Sequence, residues 1–129
     1  MIREFNSLEE IQKYYDEQTN TYVFTEDGKY IDLVKFNFDL KIDSSINAYN
    51  IDAYNIMARN INALDINAGD IDAVDINARN IDVYNIKANN ISYYAVCYAY
   101  KNIKCKSIKG IRINSKHFVL DGKLEVEDK

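Results

Sequence analysis

Isoleucine returns at every fifth position from Ile46 to Ile91, and Val96 follows in the same frame. No regular element tolerates that period. Five residues on an α-helix overshoot a full turn by about 140°, which would scatter the isoleucines around the axis. On a flat strand an odd period sends successive isoleucines to opposite faces. One-sided burial of all of them requires the chain to change direction once per repeat, so the sequence predicts a solenoid.

The unit reads Ile-[Asp/Asn]-Ala-x-[Asp/Asn], as in Ile61-Asn62-Ala63-Leu64-Asp65. Ile and Ala stand two apart, so a short extended segment turns both inward and the intervening polar residue outward. The fourth place holds side chains as unlike as Tyr54, Arg59, Leu64 and Gly69, which marks it as solvent-facing. The fifth place is Asn or Asp throughout 50–90, residues that tolerate turn conformations and bond nearby backbone.

On these units the chain resembles the pentapeptide-repeat family, whose usual unit is Ala-[Asp/Asn]-Leu-x-x. Ile61-Asn62-Ala63 matches that core triplet with the large and small inward residues exchanged. The resemblance spans roughly 31–118 and is specific over 46–95. It implies an all-β, right-handed parallel β-helix of four to five coils, with four units per coil. Residues twenty apart would then stack at about 4.8 Å: Asn47 over Asn67, Asp52 over Asp72, Arg59 over Arg79 and Asn60 over Asn80. It also implies end-to-end dimers, and kinship with proteins that imitate DNA and occupy topoisomerases.

A single domain over 1–129 is expected, with a cap at 1–30, the solenoid at 31–118 and a closing strand and tail at 119–129. Ser7-Leu8-Glu9-Glu10 has the form of a capping box, and Leu8, Ile11, Tyr14 and Tyr15 have helical spacing, predicting a helix over 7–18. Thr25-Glu26-Asp27-Gly28 reads as the turn of a hairpin that completes the cap. After Val96 the frame slips, placing Ile103, Ile108 and Ile113 two residues late. The segment 118–126 reads as a closing strand or a hairpin around Asp121-Gly122. It is also a candidate dimer edge through Phe118, Val119 and Leu120.

Catalytic signatures are lacking. His117 is the one histidine, and it reads as an ordinary polar residue near a strand. Cys97 and Cys105 make neither a disulfide framework nor a zinc spacing; Cys105 reads as a small inward residue and Cys97 as an outward thiol. No cofactor, metal site or enzyme activity is expected. The start of the chain carries no apolar run and no segment suits a membrane span, so a cytoplasmic protein is the expectation.

Charge is uneven along the chain. Asp52, Asp65, Asp70, Asp72, Asp75 and Asp82 project from a rod about as wide as a nucleic-acid duplex. Exposed tyrosines on a rigid wall suit protein contact. The leading expectation is therefore a binding protein that presses an acidic, tyrosine-bearing wall on a nucleic-acid-binding machine such as a topoisomerase or a CRISPR effector. Asp52, Asp72, Tyr54, Arg59, Arg79 and Tyr84 are its candidate contacts. Abundant Asn, Ile, Lys and Tyr, all with A/T-rich codons, suggest a phage-type inhibitor. Two other readings stand beside it. One is a homodimeric or self-assembling module. The other is nucleic-acid binding by the basic end, where Tyr98, Tyr100, Lys101, Lys104, Lys106, Lys109, Arg112 and Lys116 mix aromatics with cations. Alternation of Lys104 and Lys106 with Ile103 and Cys105 reads more simply as a solvated strand face.

Overall fold

The computed structural model describes residues 2–127, so Met1, Asp128 and Lys129, which include the end of the expected tail, lie outside the described residues. The chain winds as an all-β solenoid of about five turns. Its strands stack in parallel along the axis, and every inward Ile and Ala of the repeat is buried.

Three units close each coil, not four. Ile61 lies beside Ile46 on one side and Ile76 on the other, and Ile76 beside Ile91. Ile66 lies between Ile51 and Ile81, and Ile71 between Ile56 and Ile86. Stacked residues are thus fifteen apart, and the ladders expected at twenty are not formed. Three sides bring three Ile and three Ala of each coil together in the buried core.

Three faces follow. Face I carries 50–53, 65–68, 80–83 and 96–99; face II carries 56–57, 70–72, 85–87 and 102–105; face III carries 45–47, 60–62, 75–78 and 90–93. The ladder runs on through several corners, so Asp75–Lys87 and Asn90–Cys105 are each a single long strand bent around the rod.

Both ends depart from expectation. At the N-terminal end Leu8–Tyr14 is a 3-10 helix rather than a helix over 7–18. Ser7 is extended and its hydroxyl makes no cap bond; the Glu10 carboxylate instead accepts the Asn6 N–H at 3.0 Å. The chain must leave the helix at once, because Tyr15–Asp16 pairs antiparallel with Thr21–Val23. The hairpin turn is only Asp27-Gly28. Both residues have left-handed φ, 53° and 78°, as a two-residue turn between Thr25–Glu26 and Lys29–Tyr30 requires. Ile2–Phe5, unforeseen as a strand, lies parallel to Leu33–Phe36 on face I. Phe5, Tyr14, Phe24 and Phe36 pack ring on ring beneath it and close the core.

Toward the C-terminus the slip begins before Val96. Ala78 faces Tyr93, but Asn80 faces Val96 and Ile81 faces Cys97. One extra residue in that corner pushes Val96 outward and puts Cys97 in the isoleucine column. A second extra residue follows Ala99. Ile103 is then buried and Ile108 half-buried, whereas Ile113 is fully exposed. Residues 118–126 form no hairpin. Lys116–Val119 continues face I and Leu124–Val126 continues face II, both parallel to the preceding coil. Asp121-Gly122 is the corner between them.

Candidate binding surface

The corners are held by the fifth-place residues. Asn50, Asn55 and Asn60 share one coil, Asp65, Asp70 and Asp75 the next, and Asn80, Asn85 and Asn90 the third. A carboxylate only accepts, so each needs an amide donor stacked on it. Asn80, Asn85 and Asn90 donate to Asp65, Asp70 and Asp75 at 2.9, 2.8 and 2.9 Å. Between faces I and II the ladder is continuous. Asn55 donates to Asp39 at 3.1 Å, its side-chain oxygen accepts the Asp70 N–H at 2.9 Å, and Asn85 accepts the Asn102 N–H at 3.1 Å. This run of three Asn, three Asp, three Asn was the overlooked sign of a three-sided coil.

Three of the six candidate aspartates are therefore committed to structure. Among the described residues Asp52, Asp72 and Asp82 carry carboxylates with no hydrogen-bond or ion-pair partner. Asp52 faces Asn67, and Asn67 faces Asp82, so the expected Asp52–Asp72 repulsion does not arise. Asp52 and Asp82 share face I, two strand spacings or about 10 Å apart. Asp72 is on face II beside Met57 and Lys87, in a groove of about 400 Å³.

The other candidates divide in the same way. Tyr54 and Tyr84 line the corner between faces I and II with Gly69 between them, and the Tyr84 ring stacks on Tyr100 at 5.2 Å. A Cβ at Gly69 would come within 2.6 Å of the Tyr54 carbonyl oxygen, so this coil has no room for a side chain. Arg59 and Arg79 do not stack. Arg59 lies at the corner of faces II and III, 3.5 Å from Asp43; Arg79 lies at the corner of faces III and I, 3.5 Å from Asp65. Exposed pairs of that kind contribute at most about 1 kcal/mol. Face I thus brings Asp52, Asp82, Tyr54 and Tyr84 together, with Arg79 at its opposite corner, and Asp72 and Arg59 belong elsewhere.

The three faces differ in chemistry. Outward on face I stand Lys35, Asp52, Asn67, Asp82 and Tyr98. Face II shows Lys41, Met57, Asp72, Lys87, Lys104 and Glu125, where each of Lys87 and Lys104 has an acid in the next strand. Face III shows the neutral row Asn47, Asn62, Asn77 and Ser92. The bases of the C-terminal end spread around the rod: Lys101 and Lys106 at corners, Lys104 on face II, Lys109 on face III, Lys116 on face I, and Arg112 over the Tyr94 ring at 5.5 Å. They form a collar, not a groove.

Cys97 is fully buried, which corrects its reading as an outward thiol; burial pushes its thiol up to about 12. Cys105 is buried too, and burial raises it. Tyr93 was unforeseen. It occupies the column of Ala48, Ala63 and Ala78, and its hydroxyl lies 2.6 Å from His117 Nδ1. Burial raises the Tyr93 phenol, with a smaller push from Cys97. Only Gly110 in the next strand leaves room, since a Cβ there would meet the Tyr93 hydroxyl at 2.9 Å.

No family model matches the chain, nor does any curated protein or solved structure. The pentapeptide-repeat resemblance therefore gains no support from these comparisons, and the three-sided coil departs from that family's four units. No helix among the described residues is long and apolar enough to cross a membrane.

Proposed function

We propose that the chain is a non-catalytic binding rod that lays face I against the cationic surface of a nucleic-acid-handling protein, in the manner of a phage-type inhibitor. One observation carries this reading: Asp52 and Asp82 project unpartnered from one face beside the exposed rings of Tyr54 and Tyr84. Carboxylates and tyrosine faces together suit arginine and lysine, through charge-assisted bonds and cation–π contact.

Bulk charge is not the basis of recognition. Residues 43–100 carry seven acids and three bases over nearly four coils, or roughly 19 Å. Duplex DNA carries a charge every ~1.7 Å. With about a third of that density, spread over three faces, the rod works through the pattern on one face.

Affinity capture with purified topoisomerase and CRISPR effector complexes tests the proposal, alongside inhibition of their DNA relaxation and cleavage. The wild-type chain and a face III control, Asn62→Lys with Asn77→Lys, are expected to bind and inhibit, and Asp52→Lys with Asp82→Lys to do neither. Equal capture by the face I variant would end the reading.

A further inference from the structure

We propose that copies of this chain associate head to tail, the basic C-terminal end of one seating on the acidic N-terminal end of the next. The proposal concerns the ends of the rod and does not rest on Asp52, Asp82, Tyr54 or Tyr84.

The two ends are opposite in sign. Residues 2–31 carry seven acids and three bases, whereas residues 101–127 carry three acids and seven bases. Lys109, Arg112 and Lys116 make the rim cationic along faces III and I, while Glu125 offsets Lys104 on face II. The intervening body does not separate these charges far; five strand spacings are about 24 Å. The rod is therefore a dipole along its axis, and two such rods attract most strongly when collinear and pointing the same way.

The same ends expose unused strand edges. Among the described residues Ser107–Gly110, Lys116–Val119 and Leu124–Val126 each pair with Asn90–Cys105 alone, which leaves their outer edges unpaired there. Around them Phe118, Leu120, Leu124 and Val126 are exposed, Leu120 at 62%. Nothing among the described residues covers this end as the aromatic cap covers the other. At the N-terminal end Ile2–Phe5 pairs, among the described residues, with Leu33–Phe36 alone, and Ile2 is 64% exposed. Both free edges lie on face I, where every strand runs in the same direction. Setting Lys116–Val119 beside Ile2–Phe5 of the next copy extends that ladder in its own sense.

The alternative is a two-fold dimer through identical C-terminal ends, involving Phe118, Val119 and Leu120. It would set one collar of seven bases against another, a like-charge juxtaposition that disfavours it. A head-to-tail contact is heterologous and does not close, so the product is a linear array rather than a dimer.

Sedimentation velocity of the whole chain over a concentration series tests this. Average mass is expected to grow with concentration and to fall as salt shortens the Debye length below about 10 Å. Lys109→Glu with Lys116→Glu reverses one rim, and Glu9→Lys with Glu17→Lys reverses the other; all four residues are exposed. Each variant alone is expected to associate about tenfold more weakly or worse. An equimolar mixture of the two regains association, because each reversed end meets a complementary one. Circular dichroism confirms that both variants keep the β spectrum; if either loses it, the salt and concentration dependence of the wild type decides. A wild-type chain that stays monomeric overturns the proposal. So does a wild-type dimer that grows no further, or a Glu9→Lys/Glu17→Lys variant that associates as the wild type does.

Discussion

Single side chains decide where this rod can turn. A Cβ at Gly122 would run into the Lys101 carbonyl oxygen, backbone that cannot swing aside. Gly122→Ala should therefore cost about 2 kcal/mol or more by overpacking, read as a fall in urea midpoint. Gly28→Ala meets no neighbour and pays only for its left-handed φ, about 1 kcal/mol. Asp70 tests the ladder. Asp70→Ala strands the Asn85 amide and should cost about 1 kcal/mol, whereas Asp70→Asn keeps an acceptor and should cost much less. The inward Ile and Ala were plain from their spacing. Cys97 was not, because one added corner residue exchanges inside for outside and nothing local to Val96-Cys97 says on which side of it the insertion falls.

Among the elements, the N-terminal cap is the one whose stability depends on ionisation. Glu26, in the hairpin, accepts from Arg3 at 2.7 Å and from the Tyr14 hydroxyl at 2.6 Å, which ties hairpin, first strand and 3-10 helix together. The Arg3 hydrogen bond, then that of Tyr14, hold its carboxyl below the ordinary 4.5. A depressed carboxyl stabilises the folded state above its unfolded value, and that contribution is lost as pH falls through the folded one. Tyr14 mirrors this at high pH. Burial and then its bond to Glu26 raise it from 10.0 to about 12, so its contribution is whole below pH 10.0 and lost toward 12. Tyrosine near-ultraviolet dichroism should show the cap loosening as pH falls below the ordinary carboxylate range while the far-ultraviolet β signal persists, and Glu26→Gln should remove that acid limb. Sequence spacing found a helix and a hairpin here. It misjudged their type and extent, because the helix stops where Tyr15 must pair with Tyr22, a contact that local pattern does not encode.

For the whole molecule, the number of sides has a direct consequence. Duplicating residues 61–90 adds two full coils and keeps every Asp beneath an Asn, so the longer rod should melt higher. Duplicating residues 61–80 instead sets Asp70 under the copy of Asp65 and Asp75 under the copy of Asp70. Each such stack of like charges should cost roughly 0.5–1 kcal/mol, and thermal melts of the two lengthened chains separate the cases; a four-sided coil would accept the second insertion. The sequence alone determined that the chain must wind, since a period of five can bury one side only by turning, and it named the residues that face inward. The closure of the coil after three units was decided by the tertiary structure. Each unit is locally the same whether three or four complete a turn, and only the packing of isoleucine against isoleucine fifteen residues away selects between them. That choice, in turn, is what places Asp52 with Asp82 and parts both from Asp72.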